Sequence, residues 1–322
     1  CHAETRRKHL VKRFFNSFRM IGTLFMETIQ QCYCCGKSEF RLYTEAKDNY
    51  STEYFKIVQC NNCHFVFTNP RPTIEEIGLY YTSPNYMSHQ SHSKGLVQSI
   101  YRYARNYMMR KKLALIQTTV GKPHDFSLLD FGCGTGDFLG FIKQHHIFAE
   151  GVEPDAQARE VAKSVNHIDT YSIENSKAIE KEKFDVITLW HVLEHVHDLH
   201  NQIDYFNSWL KPNGKLIIAV PNIESYDAAK YGKFWDALDV PRHIYHYSPS
   251  CITQIVEQHQ FKIKATHPLF LDAYYVSMRS EWHKGTNKLL SYFKAIIAGF
   301  LSNRDAKKTG NYSSLVYVFE KK

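Results

Sequence analysis

Three groups of residues in this chain have types and spacings suited to chemistry. The first is the run Leu128-Leu129-Asp130-Phe131-Gly132-Cys133-Gly134-Thr135-Gly136-Asp137. Glycines at alternate positions behind an apolar stretch let the backbone pass close to a ligand, because no Cβ intervenes. Asp137 stands where the dinucleotide pattern G-x-G-x-x-G has its third glycine. Carboxylates on both sides of the loop disfavour a pyrophosphate and suit a ligand with an ammonium and a sulfonium. Glu153 closes the next strand-like stretch, and a carboxylate there can accept hydrogen bonds from both hydroxyls of a ribose.

The second group is the two pairs Cys32-x-x-Cys35 and Cys60-x-x-Cys63. Four thiolates fill a tetrahedral Zn²⁺ and leave no position for water or substrate, which is the pattern of a structural metal. Gly36 helps the first knuckle turn. Cys34 leaves open which two of the first three cysteines bind.

The third group is rich in histidine. His191-x-x-Glu194-His195 is expected to begin a helix after the fourth strand, where positions i, i+3 and i+4 share one face. The string matches the inverted zinc-protease motif, but its place behind a strand excludes that reading. Three readings stand open. His191 or His195 acts as a general base; the trio holds a divalent metal; or the residues pack and touch the cofactor, which is the expectation for Glu194. Further on, Asp239-Val240-Pro241-Arg242-His243 follows an aromatic loop with Phe234 and Trp235. Arg242 could clamp a phosphate or carboxylate bidentately and His243 could accept a proton. A salt bridge from Arg242 to Asp239 that fixes the loop is compatible with both.

The elements that must position these groups alternate. Strands are expected at 127–131, 148–153, 168–171, 184–190, 215–220, 261–266 and 314–320. Phe138, Leu139 and Ile142 give one helical face, Asp155 caps a helix reaching about Ser164, and Ile203, Phe206 and Leu210 give another helix, stopped by Pro212-Asn213-Gly214. Ser248 caps a helix over 249–258. This predicts an α/β fold: a Rossmann-like, mostly parallel seven-stranded sheet with helices on both faces and ligands at the carboxyl ends of the strands. Four zones result: a basic tail (1–30), a zinc ribbon (31–70), a helical linker (71–124) and the α/β domain (125–322), with an aromatic insertion at 267–312 expected to be a substrate lid, a partner surface or core filling.

Asp130/Gly132/Gly134/Gly136, Glu153, the 191–195 segment and the Lys211–Gly214 turn, taken in order, resemble class I S-adenosylmethionine (SAM)-dependent methyltransferases over residues 125–262. The subgroup is the one with ubiquinone-pathway O-methyltransferases and enzymes of surface-glycan and natural-product synthesis. The resemblance implies that Asp130 and the backbone of Gly132, Cys133, Gly134 and Gly136 hold the methionine end of SAM. It implies Glu153 at the ribose with Pro154 beside it, Ile173 and Trp190 at the adenine, and His191 facing the cofactor. It places His243, with His195 and Arg242, on the acceptor side. The ribbon resembles zinc modules that precede the catalytic domain in some sugar methyltransferases. Some quinone O-methyltransferases hold a metal on a Glu-x-x-Glu-His segment, where this chain has His191 at the first position.

Composition narrows the partners. The formal charge is +8, but residues 1–19 carry six cations against Glu4, which leaves +3 for the rest. That distribution favours a small-molecule, glycan-precursor or lipid-linked acceptor over nucleic acid. The alternative class is an RNA methyltransferase, or a non-catalytic SAM- or nucleic-acid-binding protein that grips through the ribbon. Residues 1–19 read as an upstream read-through or remnant ahead of Met20, or as a transit peptide. Eight cysteines, four of them in CxxC pairs, and no signal peptide point to a reducing compartment, by default the cytoplasm. No apolar run approaches the ~18 residues of a membrane span; peripheral membrane contact is compatible with the chain.

Overall fold

The structure is a computed structural model that describes residues 25–51, 53–81 and 96–322. The basic tail up to residue 24 and part of the expected linker lie outside the described residues.

The chain opens with β1 (Met26–Glu27), β2 (Phe40–Lys47), β3 (Tyr54–Cys60), β4 (Val66–Thr68) and β5 (Arg71–Pro72). Strands β2, β3 and β4 pair antiparallel, and β1 pairs with β5. A long helix α1 (Leu96–Val120) leads to β6 (Ser127–Phe131), α2 (Asp137–Lys143), β7 (Phe148–Val152), α3 (Ala156–Asn166), β8 (Thr170–Tyr171), α4 (Ile173–Ser176) and β9 (Phe184–Trp190). Then come α5 (Leu199–Trp209), β10 (Leu210–Pro221), α6 (Tyr226–Tyr231), β11 (Tyr245–His246), α7 (Pro249–Glu257), β12 (Phe261–Pro268), α8 (Asp272–His283), α9 (Lys288–Thr309) and β13 (Ser314–Lys321).

Seven strands form one sheet in the order β12-β13-β10-β9-β6-β7-β8. Neighbours from β10 to β8 run parallel; β13 is antiparallel to both β10 and β12. The chain winds one way from β6 to β8 and the other way from β9 outward. A crevice therefore opens at the carboxyl ends of β6 and β9, the topological switch point. All five residues of β6 are buried. Its alternation divides the core: Leu129 and Phe131 face one apolar cluster, Leu128 the other.

Local chemistry accounts for the helix starts. Asp155 Oδ1 accepts from the Ala158 amide, Ser172 Oγ from Asn175 and Ser248 Oγ from Cys251, three N-caps of the usual kind. One expectation is revised. The 191–195 segment is not the first turn of a helix: His191 is left-handed (φ +58°) and Leu193–His195 forms one 3₁₀ turn, with α5 starting at Leu199. The insertion folds as the helical hairpin α8–α9.

The ribbon is continuous with the α/β unit. Strand β11, from the loop after β10, adds to the ribbon sheet in the order β11-β4-β3-β2, pairing Tyr245 with Phe67 and His246 with Val66. Phe65 lies against Tyr245 at 5.8 Å between ring centroids. Buried Arg71 donates to Glu27, to the hydroxyls of Tyr245 and Tyr33 and to the His197 carbonyl. Half of the loop that carries His243 is thus built on the ribbon.

Candidate cofactor cleft and active site

The glycine loop follows β6 at the switch point. The Gly132 and Cys133 amides both donate to the Val152 carbonyl, at 2.7 and 3.1 Å, which ties the loop to the end of β7. Gly132 has φ +76° and a Cβ there would lie 2.4 Å from Val192 Cγ2, so side chains are excluded by space as well as by backbone. Gly134 also has positive φ (+56°), yet nothing lies within 4 Å of a Cβ built on it. That open side is where a ligand can approach the backbone.

Glu153, just past β7, is buried. Its Oε2 accepts from the Gly134 amide at 2.8 Å and Oε1 from Asp155 at 2.9 Å. Burial raises its pKa, against those two hydrogen bonds. Asp130 is buried and accepts from Thr188 Oγ1 at 2.6 Å; burial pushes its pKa up to about 6. The loop thus presents two carboxylates whose negative charge is poorly solvated, a setting that rewards a cation. Lys112 of α1 supplies one already: its Nζ lies 4.2 Å from the Trp190 ring centroid, and burial lowers its pKa against the pull of Asp130 and Asp272. No sequence signal picks out Lys112, Asp272 or Thr188, because each acts across the fold.

Of the other expected cofactor residues, Cys133 packs under the loop, where a Cβ on Gly151 would strike its Sγ at 2.6 Å. Pro154 is exposed and its carbonyl accepts from Arg159. Ile173 packs on the core that includes Phe131, whereas Trp190 packs on the core that includes Phe138. Those two share no apolar cluster. His191 Nε2 lies 3.2 Å from Asp272 Oδ2 and its Nδ1 3.6 Å from Glu194 Oε1. Burial works against its charge, but the neighbouring carboxylates of Asp272 and Glu194 outweigh it and bring the pKa up to about 10.

The acceptor-side residues meet in one cluster. Glu194 is fully buried, and neither carboxylate oxygen receives a hydrogen bond among the described residues. His243 Nε2 stands 4.0 Å from Glu194 Oε1, and the His195 and His243 rings meet edge to face at 4.6 Å. The tautomers follow from their partners. His243 Nδ1 faces the Ala237 carbonyl at 2.8 Å and His195 Nδ1 the Arg242 carbonyl at 2.9 Å. A carbonyl only accepts, so each Nδ1 donates to its carbonyl; the Tyr81 hydroxyl also lies 3.0 Å from His195 Nδ1, and the other ring nitrogen of His243, Nε2, is the one on the Glu194 side. Burial, then the neighbouring His243, push His195 down to about 4. Ligand atoms of Glu194, His195 and His243 lie within 4.8 Å of one another. His191 is not in this group; His243 takes the place in it that sequence spacing assigned to His191.

Arg242 departs from its expected role as an anion clamp. Its side chain is 0% exposed and donates to Asp48 at 2.8 Å, to Asp239 at 2.6 Å and to the Tyr80 and Val240 carbonyls. The guanidinium ties the ribbon strands to the loop and cannot meet an acceptor. The Asp239 bridge was legible from spacing; Asp48, 194 residues away, was not.

The thiolates of Cys32, Cys35, Cys60 and Cys63 all lie within 4.8 Å of one another, with Cys32 to Cys63 at 3.5 Å and Cys35 to Cys60 at 3.6 Å. This settles the ambiguity in the first knuckle. Cys34 is buried and its carbonyl accepts from Gln254 and Gln258 of the α7 region. Four sulfurs converging with no carboxylate or open position fit structural zinc.

A family model described as a methyltransferase domain matches residues 100–266. The chain belongs to that family of methyltransferase domains. It is 30% identical over 118 residues to a ubiquinone biosynthesis O-methyltransferase of Haemophilus ducreyi (33% of this chain, 50% of that one). It is 31% identical over 103 residues to the enzyme of the same description from Coxiella burnetii (30% and 43%). The chain thus spans about half the length of these two relatives, or less. Among solved structures, the 1,6-didemethyltoxoflavin-N1-methyltransferase of Burkholderia thailandensis aligns with TM-score 0.48 and 13% identity over 86% of this chain and 99% of that one.

The raised pKa of Asp130 makes a prediction. A carboxyl whose folded-state pKa lies above its unfolded value of about 3.8 stabilises the fold when protonated. That contribution is present below about pH 4 and lost as pH rises through about 6. Asp130→Asn removes the cost of the buried charge, so at pH 7 the variant is expected to be about 1–3 kcal/mol more stable than the parent while binding SAM more weakly. Denaturant melts at pH 4 and pH 7 measure this; a variant less stable at pH 7 than at pH 4 relative to the parent contradicts it.

Proposed function

We propose that this methyltransferase acts on a small-molecule, glycan-precursor or lipid-linked acceptor, and that His243 takes the acceptor's proton. The observation that carries the reading is the placement of His243, with Nδ1 on the Ala237 carbonyl and Nε2 4.0 Å from the buried Glu194 carboxylate. When bound, SAM supplies an electrophilic methyl carbon on a sulfonium. Asp130, the glycine loop and Glu153 hold the cofactor's methionine and ribose. The acceptor's oxygen or nitrogen would gain the methyl carbon as the sulfonium C–S bond breaks and leaves a neutral thioether, its proton would pass to His243 Nε2, and Glu194 would stabilise the imidazolium so formed. The ubiquinone-pathway names of two relatives favour an oxygen acceptor. The modest charge beyond the basic tail speaks against nucleic acid. Methyl transfer assayed on pools of quinol precursors, sugar nucleotides and RNA tests this; product on RNA alone sinks it.

A second reading has its own observation. Glu194, His195 and His243 form a two-histidine, one-carboxylate set of the kind that binds a divalent metal, with each Nδ1–H on a backbone carbonyl, as metal-ligating histidines commonly have. Metal content separates the readings. The four-cysteine site is expected to hold about one zinc per chain; a second metal that disappears in Glu194→Gln favours the cation reading and removes His243 as the base.

The ribbon's zinc is read as structural. Cys60→Ser is expected to lose the zinc and lower the melting temperature. It is also expected to lower turnover, since β4 carries β11 and β11 follows His243 in the chain. Unchanged zinc content and melting in that variant rule the ribbon reading out.

A further inference from the structure

Helix α9 is buried through the wrong residues. Its inward positions are Ser291, Ala295, Ala298, Gly299, Ser302 and Ala306. Small side chains let α8 come close: a Cβ on Gly299 would lie 2.4 Å from the Tyr274 ring. The opposite face carries Leu289, Phe293, Ile296 and Phe300 at i, i+4, i+7 and i+11, one stripe along the helix. These four are 81, 63, 62 and 59% exposed. Leu290 and Ile297 widen the stripe, and Phe270 and Leu271 extend it past the end of β12. A helix that packs by its small residues and offers its large apolar ones to solvent has been shaped by something it meets outside the fold.

Charge identifies what that is. Residues 284–310 contain Lys284, Lys288, Lys294, Arg304, Lys307 and Lys308 against the single carboxylate Asp305. Lys294 is spent on Glu281 and Asp305 is half-buried; the other five cations are exposed or half-exposed. Arg304 and Lys307 continue the apolar stripe at its carboxyl end. An apolar stripe framed by lysine and arginine matches a lipid interface with anionic headgroups, where acyl chains take the large side chains and the phosphates take the cations. A second copy fits poorly. A two-fold contact across α9 would set these like-charged ends against each other with no exposed carboxylate on the stretch to answer them.

The surface also adjoins the cleft. Leu271 is exposed on the patch and the next residue, Asp272, holds His191 at the end of β9. Among the described residues no helix is long and apolar enough to cross a membrane, so the hairpin would lie on the surface rather than span it.

We infer that the α8–α9 hairpin is a docking face for an anionic lipid surface, which brings the mouth of the cofactor cleft to an acceptor carried in or on that surface. The acceptor clause rests on the methyltransferase reading above; the docking clause does not. The test is flotation of the full chain with phosphatidylcholine vesicles and with vesicles containing phosphatidylglycerol. Binding is expected only with the anionic vesicles and is expected to weaken with salt. Phe293→Ser/Ile296→Ser/Phe300→Ser is expected to weaken it at least about tenfold, and Arg304→Gln/Lys307→Gln/Lys308→Gln by about tenfold. Zinc content, melting temperature and SAM affinity, measured on the same preparations, are expected to stay as in the parent. Failure of the parent to float overturns the proposal. So does equal binding to both vesicle types, and so does a concentration-dependent dimer in sedimentation that the serine variant abolishes. If the parent floats but binds no SAM, docking stands and the acceptor clause falls.

Discussion

His243→Ala is expected to lower turnover by about 10²–10⁴-fold at saturating SAM, with SAM affinity nearly unchanged. The ring donates from Nδ1 to the Ala237 carbonyl and turns Nε2 toward Glu194. Its removal takes away the proposed proton acceptor and one of the rings packed against the buried Glu194 carboxylate. Burial alone would raise the Glu194 pKa; His191, His243 and His195 together bring it below the usual carboxylate range. The variant is therefore expected to unfold somewhat earlier than the parent, an effect that saturating SAM offsets by mass action. His191→Ala is expected to behave differently. That residue follows Trp190 at the end of β9 and is bound to Asp272, so its loss is expected to weaken SAM binding as well as turnover. Steady-state kinetics with one identified acceptor decide the matter. Near-normal turnover in His243→Ala removes the base from this position.

Gly134→Val is expected to reduce SAM affinity by at least about 100-fold. Two costs add. A β-branched residue at φ +56° adopts a left-handed backbone at about 1–2 kcal/mol. Its methyls also fill the one side of the loop that is open. The Gly134 amide that holds Glu153 at 2.8 Å shifts with them, so the Glu153 carboxylate is lost from its place. Glu153→Ala, which removes the carboxylate and leaves the loop alone, is expected to cost about 1–3 kcal/mol of SAM affinity. Isothermal calorimetry on both variants measures this; parent-like affinity in both refutes the cofactor assignment.

Much of the fold was legible from pattern. Strands at 127–131 and 184–190 occupy the positions their apolar runs mark, and Asp155 caps α3 as its type and place require. These are local properties: β-branched and aromatic runs make buried strands, and a short acceptor side chain before an apolar-periodic segment makes a cap. The strand expected at 168–171 forms only at Thr170–Tyr171, since so short a strand is defined by its neighbour β7. The 191–195 segment misled in the other direction. Its i, i+3, i+4 spacing reads as a helix face, but the left-handed His191 and the 3₁₀ turn put its side chains on separate errands: His191 toward Asp272, His195 toward the Arg242 carbonyl and Glu194 into the core.

The linear string was enough to mark a glycine loop between carboxylates, the carboxylate of Glu153 at the end of the following strand and four thiols spaced for zinc. Each of these depends on residue type and short-range spacing, which a linear string carries. Which groups face one another across long separations was set by the fold. It placed Arg242 against Asp48 and away from any acceptor, assembled Glu194, His195 and His243 from two loops, and stood Lys112 over Trp190. It also turned the small residues of α9 inward and the large ones out. Side-chain direction across a fold depends on strand register and helix packing, and those are set by the whole core rather than by neighbours in the chain.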